Sequence, residues 1–428
     1  MNRKEFLKAS SIFTAATFVP LNHVFAIQSD KKIRVGLIGV NGMGWSNLNA
    51  ILKNGQVVCT ALCDVDENIL NKRKTELADK GIKVKTFVSY QEMLKGDLVD
   101  AVIVATPDHW HCLQMVDAVK TGKHVYVEKP IGNSILECDV MVKAVKSSSS
   151  IVQVGQWQRS QRHFRDAMDF IHSGKLGKIR TVKAWSYLDW KKTIENKPDT
   201  AVPEGVHYDM WLGPAQKRPF NPNRFHFEFR WFWDYAGGLM TDWGVHLLDY
   251  ALLGMKASDP ISVMASGGKF ADPNGAAETP DTLNVIYEFE DFSIQWEHAI
   301  GIGLGLYGRS HGVAFIGNNG TLVLNRNGWE VIPEKDRMEA IALQKPKDRG
   351  LELHMENFVE AITRKDSSML NAPIQVGANI AAFSQMGNIA YRTGKKLYWD
   401  RSKRRFTDAE ANKYLAAKYN NGYKLPSI

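Results

Sequence analysis

A chain of 428 residues, 44% hydrophobic and 23% charged, carries enough apolar material for two domains with their own cores. That composition excludes a disordered, collagenous or disulfide-stapled architecture. The formal charge of +8 is diffuse apart from RSKRR at 401–405, which reads as a solvated tail face because no nucleic-acid recognition motif accompanies it.

In chain order, MNRKEFLKAS is followed by SIFTAATFVPLNHVFA, an apolar stretch that Pro20, Asn22 and His23 interrupt. It is too short and broken to span a bilayer, and the small residue closing VFA suits cleavage after Ala26. Residues 1–26 are therefore expected to be an export signal leading to the periplasm, with no stable membrane insertion. The alternative is a disordered extension on a cytoplasmic protein. NRKEFLK is similar to the twin-arginine type of signal, with Lys4 standing where the second arginine is expected.

Next, IRVGLIGV is a short apolar strand, followed by glycines and a helix from about Trp45 to Lys53. VVCTALCDVD, VDAVIVATP and HVYVEKP are further strands separated by helical stretches. Strands so separated run parallel, which predicts a doubly wound α/β sheet over 31–155. Cys59, Cys63, Cys112 and Cys138 show neither metal-site spacing nor a disulfide framework.

Gly39, Asn41 and Gly44 occupy the three positions of a GxGxxG fingerprint, with Asn41 in place of the second glycine and Gly42 and Met43 completing the turn. Such a turn sets backbone N–H groups and a helix N-terminus against a pyrophosphate. Asp64, closing the second strand, stands where a carboxylate would bind the adenosine ribose. The N-terminal domain is thus expected to be a Rossmann dinucleotide-binding domain. No arginine or lysine follows Asp64 closely enough to favour a 2′-phosphate, so NAD is preferred to NADP.

The remaining domain, 156–428, is expected to be α+β. KIRTVKAWSYLDW, ISVMASGGKF, DTLNVIYEFED, FSIQWEHAI and GVAFIGNNGTLVLNRNGWEVI alternate like strands with hairpin signals, predicting a large, mostly antiparallel sheet. Helices are expected at RHFRDAMDFIHSGKLG, around GLMTDWGVHLLD, at LHMENFVEAITR and at PIQVGANIAAFSQMGNIAYRTG. Most of the 12 tryptophans lie in this domain. Aromatic faces stack on sugar rings, which makes a carbohydrate the expected substrate, with Trp231, Arg159 and Tyr187 as candidate contacts. His207, His226 and His298 read as ordinary polar residues, and no grouping has metal-ligand spacing.

ATPDHWH, VEKP and GGLMTDWGVH, in that order, resemble the family of glucose–fructose oxidoreductase, inositol dehydrogenase and MocA. The resemblance covers nearly all of the chain after the N-terminal segment. It implies that Thr106, Pro107 and His111 line the cofactor and that Glu128 accompanies Lys129. Lys129 is implied to lie near the nicotinamide and the reacting hydroxyl, with Asp242 and His246 on the substrate side. On a helix, positions i and i+4 share a face, so Asp242 and His246 are expected to converge.

Oxidising an alcohol requires a proton to leave oxygen as hydride leaves carbon. His246 is the expected acid/base, Asp242 its orienter or an acceptor for a substrate hydroxyl, and Lys129 the stabiliser of the alkoxide. Lys129 is the alternative base if burial favours its neutral amine. An exported enzyme has no free nicotinamide pool, so the NAD is expected to be tightly held and recycled. The expected function is an NAD(P)-dependent sugar or glycoside oxidoreductase, forming a homodimer or homotetramer through an open sheet face. The alternatives are a redox-assisted glycosidase of the same fold and a noncatalytic sugar or nucleotide binder.

Overall fold

Two sheets organise the chain in a computed structural model that describes residues 32–428. The expected export signal at 1–26 lies outside the described residues. The first sheet is wholly parallel: β1 (Ile33–Ile38), β2 (Val57–Cys63), β3 (Lys85–Phe87), β4 (Ala101–Val104), β5 (His124–Val127) and β6 (Val152–Val154). Its order is β3-β2-β1-β4-β5-β6, the doubly wound arrangement whose order reverses between β1 and β4 and opens a crevice at their carboxyl ends. β4 is buried at every residue, as a strand covered on both faces must be. The intervening helices are α1 (Gly42–Ile51), α2 (Glu67–Ala78), α3 (Tyr90–Leu94), α4 (Asp108–Lys120) and α5 (Ile135–Lys146). α1 begins three residues before the expected Trp45, because Asn41 caps it and the glycine turn becomes its first turn.

The chain then forms α6 (Arg162–His172), β7 (Ile179–Leu188), α7 (Tyr208–Leu212), α8 (Gly238–Asp242) and α9 (Gly244–Met255). β8 (Ser262–Gly268), β9 (Thr282–Glu288), β10 (Ser293–Ile300), β11 (His311–Gly317), β12 (Gly320–Asn325), β13 (Gly328–Pro333) and β14 (Ile341–Gln344) follow. α10 (Gly350–Arg364), α11 (Ile374–Thr393), β15 (Leu397–Asp400) and β16 (Arg405–Phe406) complete the order. The ten strands from β7 onward make one sheet, β14-β13-β12-β11-β7-β10-β9-β8-β15-β16. It is antiparallel except where β7 runs parallel beside β10. One face packs on helices, as where the Tyr287 ring stacks on Phe383 of α11 at 3.9 Å. On the other face Met264 and Ile286 are cross-strand partners and both are exposed.

The nucleotide-binding and C-terminal parts are closely packed on one another. Residues 33–428 form one compact unit, because the C-terminal helices return to the first sheet. Met355, Phe358 and Val359 of α10 share a core with Val35, Leu37 and Leu48. Ala378 and Ala381 of α11 pack with Val125 and Val152. The segment between β7 and α8, which has no clear sequence periodicity, also crosses to the first sheet. The Glu67 amide donates to the Gly205 carbonyl at 2.9 Å, and Asp66 pairs with Val206 as an isolated bridge. An aromatic cluster including Trp211, Phe225, Phe229 and Tyr235 holds that segment in place. The Trp211 carbonyl accepts from Trp110 Nε1 at 2.9 Å, tying the segment to α4.

Candidate active site

A cavity of about 580 Å³ runs from the glycine turn to α9, bounded by both sheets' loops and by the crossing segment. At its nucleotide end the local backbone explains the glycines. Gly39 has φ +85°, and a Cβ there would stand 2.6 Å from the Ala105 carbonyl oxygen. A Cβ on Gly44 would stand 2.0 Å from the Gly39 carbonyl oxygen. Asn41 accepts a hydrogen bond from the Gly42 amide at 2.9 Å through its own side chain. The residue that replaces the second fingerprint glycine therefore serves as the helix cap and does not fill the crevice. Asn41, Gly42 and Met43 are exposed at the mouth of α1, whose first-turn N–H groups have no helical acceptors and suit a phosphate.

Asp64 lies at the end of β2, where its Oδ2 accepts from the Val40 amide at 2.8 Å and its Oδ1 from the Asp66 amide at 3.0 Å. Burial raises its pKa while those amides favour the ionised form. Each oxygen keeps a lone pair for a ribose hydroxyl. Thr106 donates to Gln114 at 2.7 Å, and Pro107 precedes α4. His111 is a strut between two loops, with Nδ1 2.7 Å from the Pro130 carbonyl and Nε2 2.8 Å from the Thr106 carbonyl. Burial brings its pKa down to about 4, so the neutral ring donates to only one of the two. These groups fit a dinucleotide: two glycines whose positions exclude a side chain, a helix N-terminus, and a carboxylate with free lone pairs.

At the opposite end, Glu128 is buried, accepting from Asn47 Nδ2 at 2.7 Å and from the Lys129 amide at 3.1 Å. It fixes the loop after β5 from behind. Lys129 Nζ then donates to Asp242 Oδ1 at 2.7 Å and to the Asp242 carbonyl at 3.0 Å. Arg230 Nε approaches Asp242 Oδ2 at 3.3 Å. Burial would raise the Asp242 pKa, but the two cations outweigh it and hold the carboxylate well below its usual range.

The helix carrying Asp242 and His246 is broken at Trp243. Lys129 occupies the carbonyl that the His246 amide would use, and that amide turns instead to the Trp243 carbonyl at 3.0 Å. Both side chains still line the cavity. The expected orienting bond from Asp242 to His246 is absent, because both carboxylate oxygens face cations. Asp242 does favour a charged His246, but it is not the largest influence on the ring. Burial first, then Lys129 and Arg326, lower its pKa well below the ordinary value and outweigh Asp242. His246 is therefore neutral, with a buried Nδ1 that has no partner.

Three expected substrate contacts stand away from the cavity. Arg159 forms a two-pronged ion pair with Asp249 of α9 at 2.7 and 2.6 Å. Tyr187 donates to Glu297 across the second sheet at 2.9 Å. Trp231 is buried in the aromatic cluster with the Lys191 ammonium 5.1 Å over its ring. Their sequence contexts, a polar loop, a strand and an aromatic run, carry no signal separating a cleft wall from a core wall.

Among the cavity-lining residues that sequence reasoning missed are Asp108, His226, Arg230 and Arg326. His226 had been read as an ordinary polar residue; it has φ +49° and approaches Asp66 at 3.0 Å beside the ribose position. Asp108 was in view within ATPDHWH, and burial pushes its carboxyl up to about 8 against the pull of Arg230 and Lys129. Among the described residues no group of histidine, cysteine and carboxylate side chains is placed to hold a metal ion.

The family model described as oxidoreductase family, NAD-binding Rossmann fold matches residues 33–156. Its companion, oxidoreductase family, C-terminal alpha/beta domain, matches residues 161–425. The chain belongs to the Gfo/Idh/MocA oxidoreductase family, and its first sheet is that family's NAD-binding domain. Among curated relatives, a glycosyl hydrolase family 109 protein of Saccharopolyspora erythraea is 31% identical over 160 residues, 36% of this chain and 35% of that one. An alpha-N-acetylgalactosaminidase of Shewanella oneidensis is 31% identical over 203 residues, 42% of this chain and 44% of that one. These matches thus span less than half of the relatives' own length. A levoglucosan dehydrogenase solved with NADH and levoglucosan shares the fold, with TM-score 0.65 and 17% identity over 86% of this chain and 99% of that one.

Proposed function

We propose that the protein oxidises or reduces a carbohydrate at a CH–OH carbon, using NAD held in the crevice between β1 and β4. The observation that carries this reading is one juxtaposition. A neutral, unpartnered His246 and the Lys129–Asp242 pair line the same cavity as the glycine turn. When bound, the nicotinamide supplies a two-electron acceptor for hydride from the carbinol carbon. Neutral His246 takes the hydroxyl proton in the oxidising direction, and the Lys129 ammonium donates to the oxygen as it gains charge. Asp242 holds Lys129 in place through its carboxylate and its backbone carbonyl. The test is a panel of free sugars and glycosides with NAD present, following reduced cofactor and sugar products together. Turnover of none of them, with NAD bound, would overturn the reading.

A second reading has a specific support. The relatives named as glycosyl hydrolase family 109 protein and alpha-N-acetylgalactosaminidase favour transient oxidation of a ring hydroxyl that acidifies the adjacent C–H and permits elimination of an aglycone. Release of free sugar without net accumulation of reduced cofactor separates this from a dehydrogenase. A noncatalytic binder would have no use for a buried proton acceptor kept unpartnered.

The N-terminal segment supports export, and export supports a tightly held cofactor; cell fractionation tests the first idea and absorbance of the protein as purified the second. An empty site with only millimolar NAD affinity would count against retention. The exposed Met264–Ile286 face of the second sheet supports subunit pairing, which a solution mass measurement tests.

A further inference from the structure

Two arginines line the cavity, Arg230 and Arg326, and their surroundings differ. Arg230 lies against the Asp242 carboxylate at 3.3 Å. Arg326, on the turn between β12 and β13, makes no ion pair or hydrogen bond among the described residues, and its Nε is buried without a partner. A guanidinium withdrawn from water without an acceptor is unfavourable, and its burial lowers the Arg326 pKa. It packs over Trp157 and Trp243, at 5.3 and 4.7 Å from the ring centroids. Cation–π contact offsets part of the desolvation, but indole faces do not accept the N–H groups that lie in the guanidinium plane. The fork is left without an acceptor on the wall of the cavity.

The charges around it point the same way. Lys129, Arg230 and Arg326 face Asp242, whose two oxygens Lys129 and Arg230 already engage, while Glu128, beside Lys129, is taken up by Asn47 and the Lys129 amide. Asp108 adds little negative charge, since burial raises its carboxyl to about 8. His246 and His311 are neutral, burial and Arg326 both acting in that direction. Among the described residues Arg326 therefore has no carboxylate of its own at the reacting end of the cavity.

We propose that Arg326 binds a carboxylate on the substrate, so that the sugar is a hexuronic acid or one of its glycosides. This rests on the carbohydrate reading above and narrows it. A planar carboxylate in the plane of the guanidinium takes two parallel N–H···O bonds, and Arg326 lines the cavity from which such a group would approach. The same two rings offer a sugar its C–H stacking partners beside the anionic group.

The test uses the full chain with saturating NAD. Tryptophan fluorescence is titrated with D-glucuronate, D-galacturonate and D-mannuronate, with the matching neutral hexoses and with D-glucose 6-sulfate; turnover is followed on the same panel. At least one hexuronate is expected to bind 10-fold or more tighter than its hexose. In Arg326→Gln that ratio should fall by about 10- to 100-fold, the range for a lost charge-assisted bond. Arg326→Lys, which keeps charge but loses the fork, should retain an intermediate ratio and guards against a folding defect. A merely structural clamp would weaken acid and neutral sugar alike. Equal binding of every hexuronate and its hexose, an unchanged ratio in Arg326→Gln, or preference for the sulfate would overturn the proposal. Hexuronate binding that depends on Arg326 without turnover of any sugar would sink the oxidoreductase reading alone. Turnover confined to neutral sugars would sink the carboxylate site alone.

Discussion

Lys129 reaches from the loop after β5 to grip Asp242 twice, at its carboxylate and at its backbone carbonyl. That one side chain joins the nucleotide half to the substrate half and breaks the helix at Trp243. Lys129→Met should lower turnover by about 100-fold or more, the scale for removing one donor to a developing oxyanion. It should also lower the melting temperature. Asp242 is held below its ordinary pKa, so its contribution is present above the unfolded value of 3.8 and lost as pH falls further. The melting deficit of the variant should accordingly be large near neutrality and shrink in acid. A deficit independent of pH would contradict the pairing.

His246 should set an acid limb in the pH dependence of kcat/KM. Its folded pKa lies well below 6.5, so activity limited by this base persists down to that region and is lost only at lower pH as the ring protonates. A limb centred above 6.5 in the wild type would contradict a desolvated, neutral histidine.

Asp108 predicts a pH-dependent stability of opposite sign to Asp242. Its carboxyl is raised from 3.8 to about 8, so the folded chain holds a proton that the unfolded chain releases. Its contribution is complete below about 3.8 and is lost as pH rises through about 8. Without cofactor, Asp108→Asn should gain on the wild type as pH rises across that window, by up to a few kcal/mol at its upper end. Thermal melts at several pH values measure this, and parallel curves would refute it.

Arg159 illustrates a site candidate that became architecture. Its partner Asp249 has a side chain only 3% exposed, and Arg159→Ala leaves that carboxylate buried and unpaired, at a cost of about 3–5 kcal/mol. Denaturant unfolding should record the loss, and bound-cofactor affinity measured below the transition should change little. Unaltered stability would mean that Asp249 finds another partner.

The legible parts of the sequence were those where backbone geometry dictates residue type. Gly39 and Gly44 are required by a positive φ and by a carbonyl that excludes a Cβ, and the short apolar run of β4 can only be a strand covered on both faces. Hairpins marked by glycine and asparagine gave the second sheet. What stayed hidden depended on distant pairing. Arg159 and Asp249 are 90 positions apart, and nothing local distinguishes an arginine aimed at a carboxylate from one aimed at a ligand. Arg326 sits in a turn, NRNG, that reads as ordinary hairpin chemistry; only the tertiary placement of Trp157 and Trp243 turns it inward. The helix spacing of Asp242 and His246 correctly put both on one side. It could not reveal Lys129 competing for the Asp242 carbonyl.

The most direct test is NAD affinity and sugar turnover measured side by side in the wild type, His246→Ala and Lys129→Met. Cofactor affinity near that of the wild type together with turnover abolished in the histidine variant and reduced at least about 100-fold in the lysine variant is the predicted result. Near-normal turnover in either variant would contradict the assignment of the chemistry to this cavity.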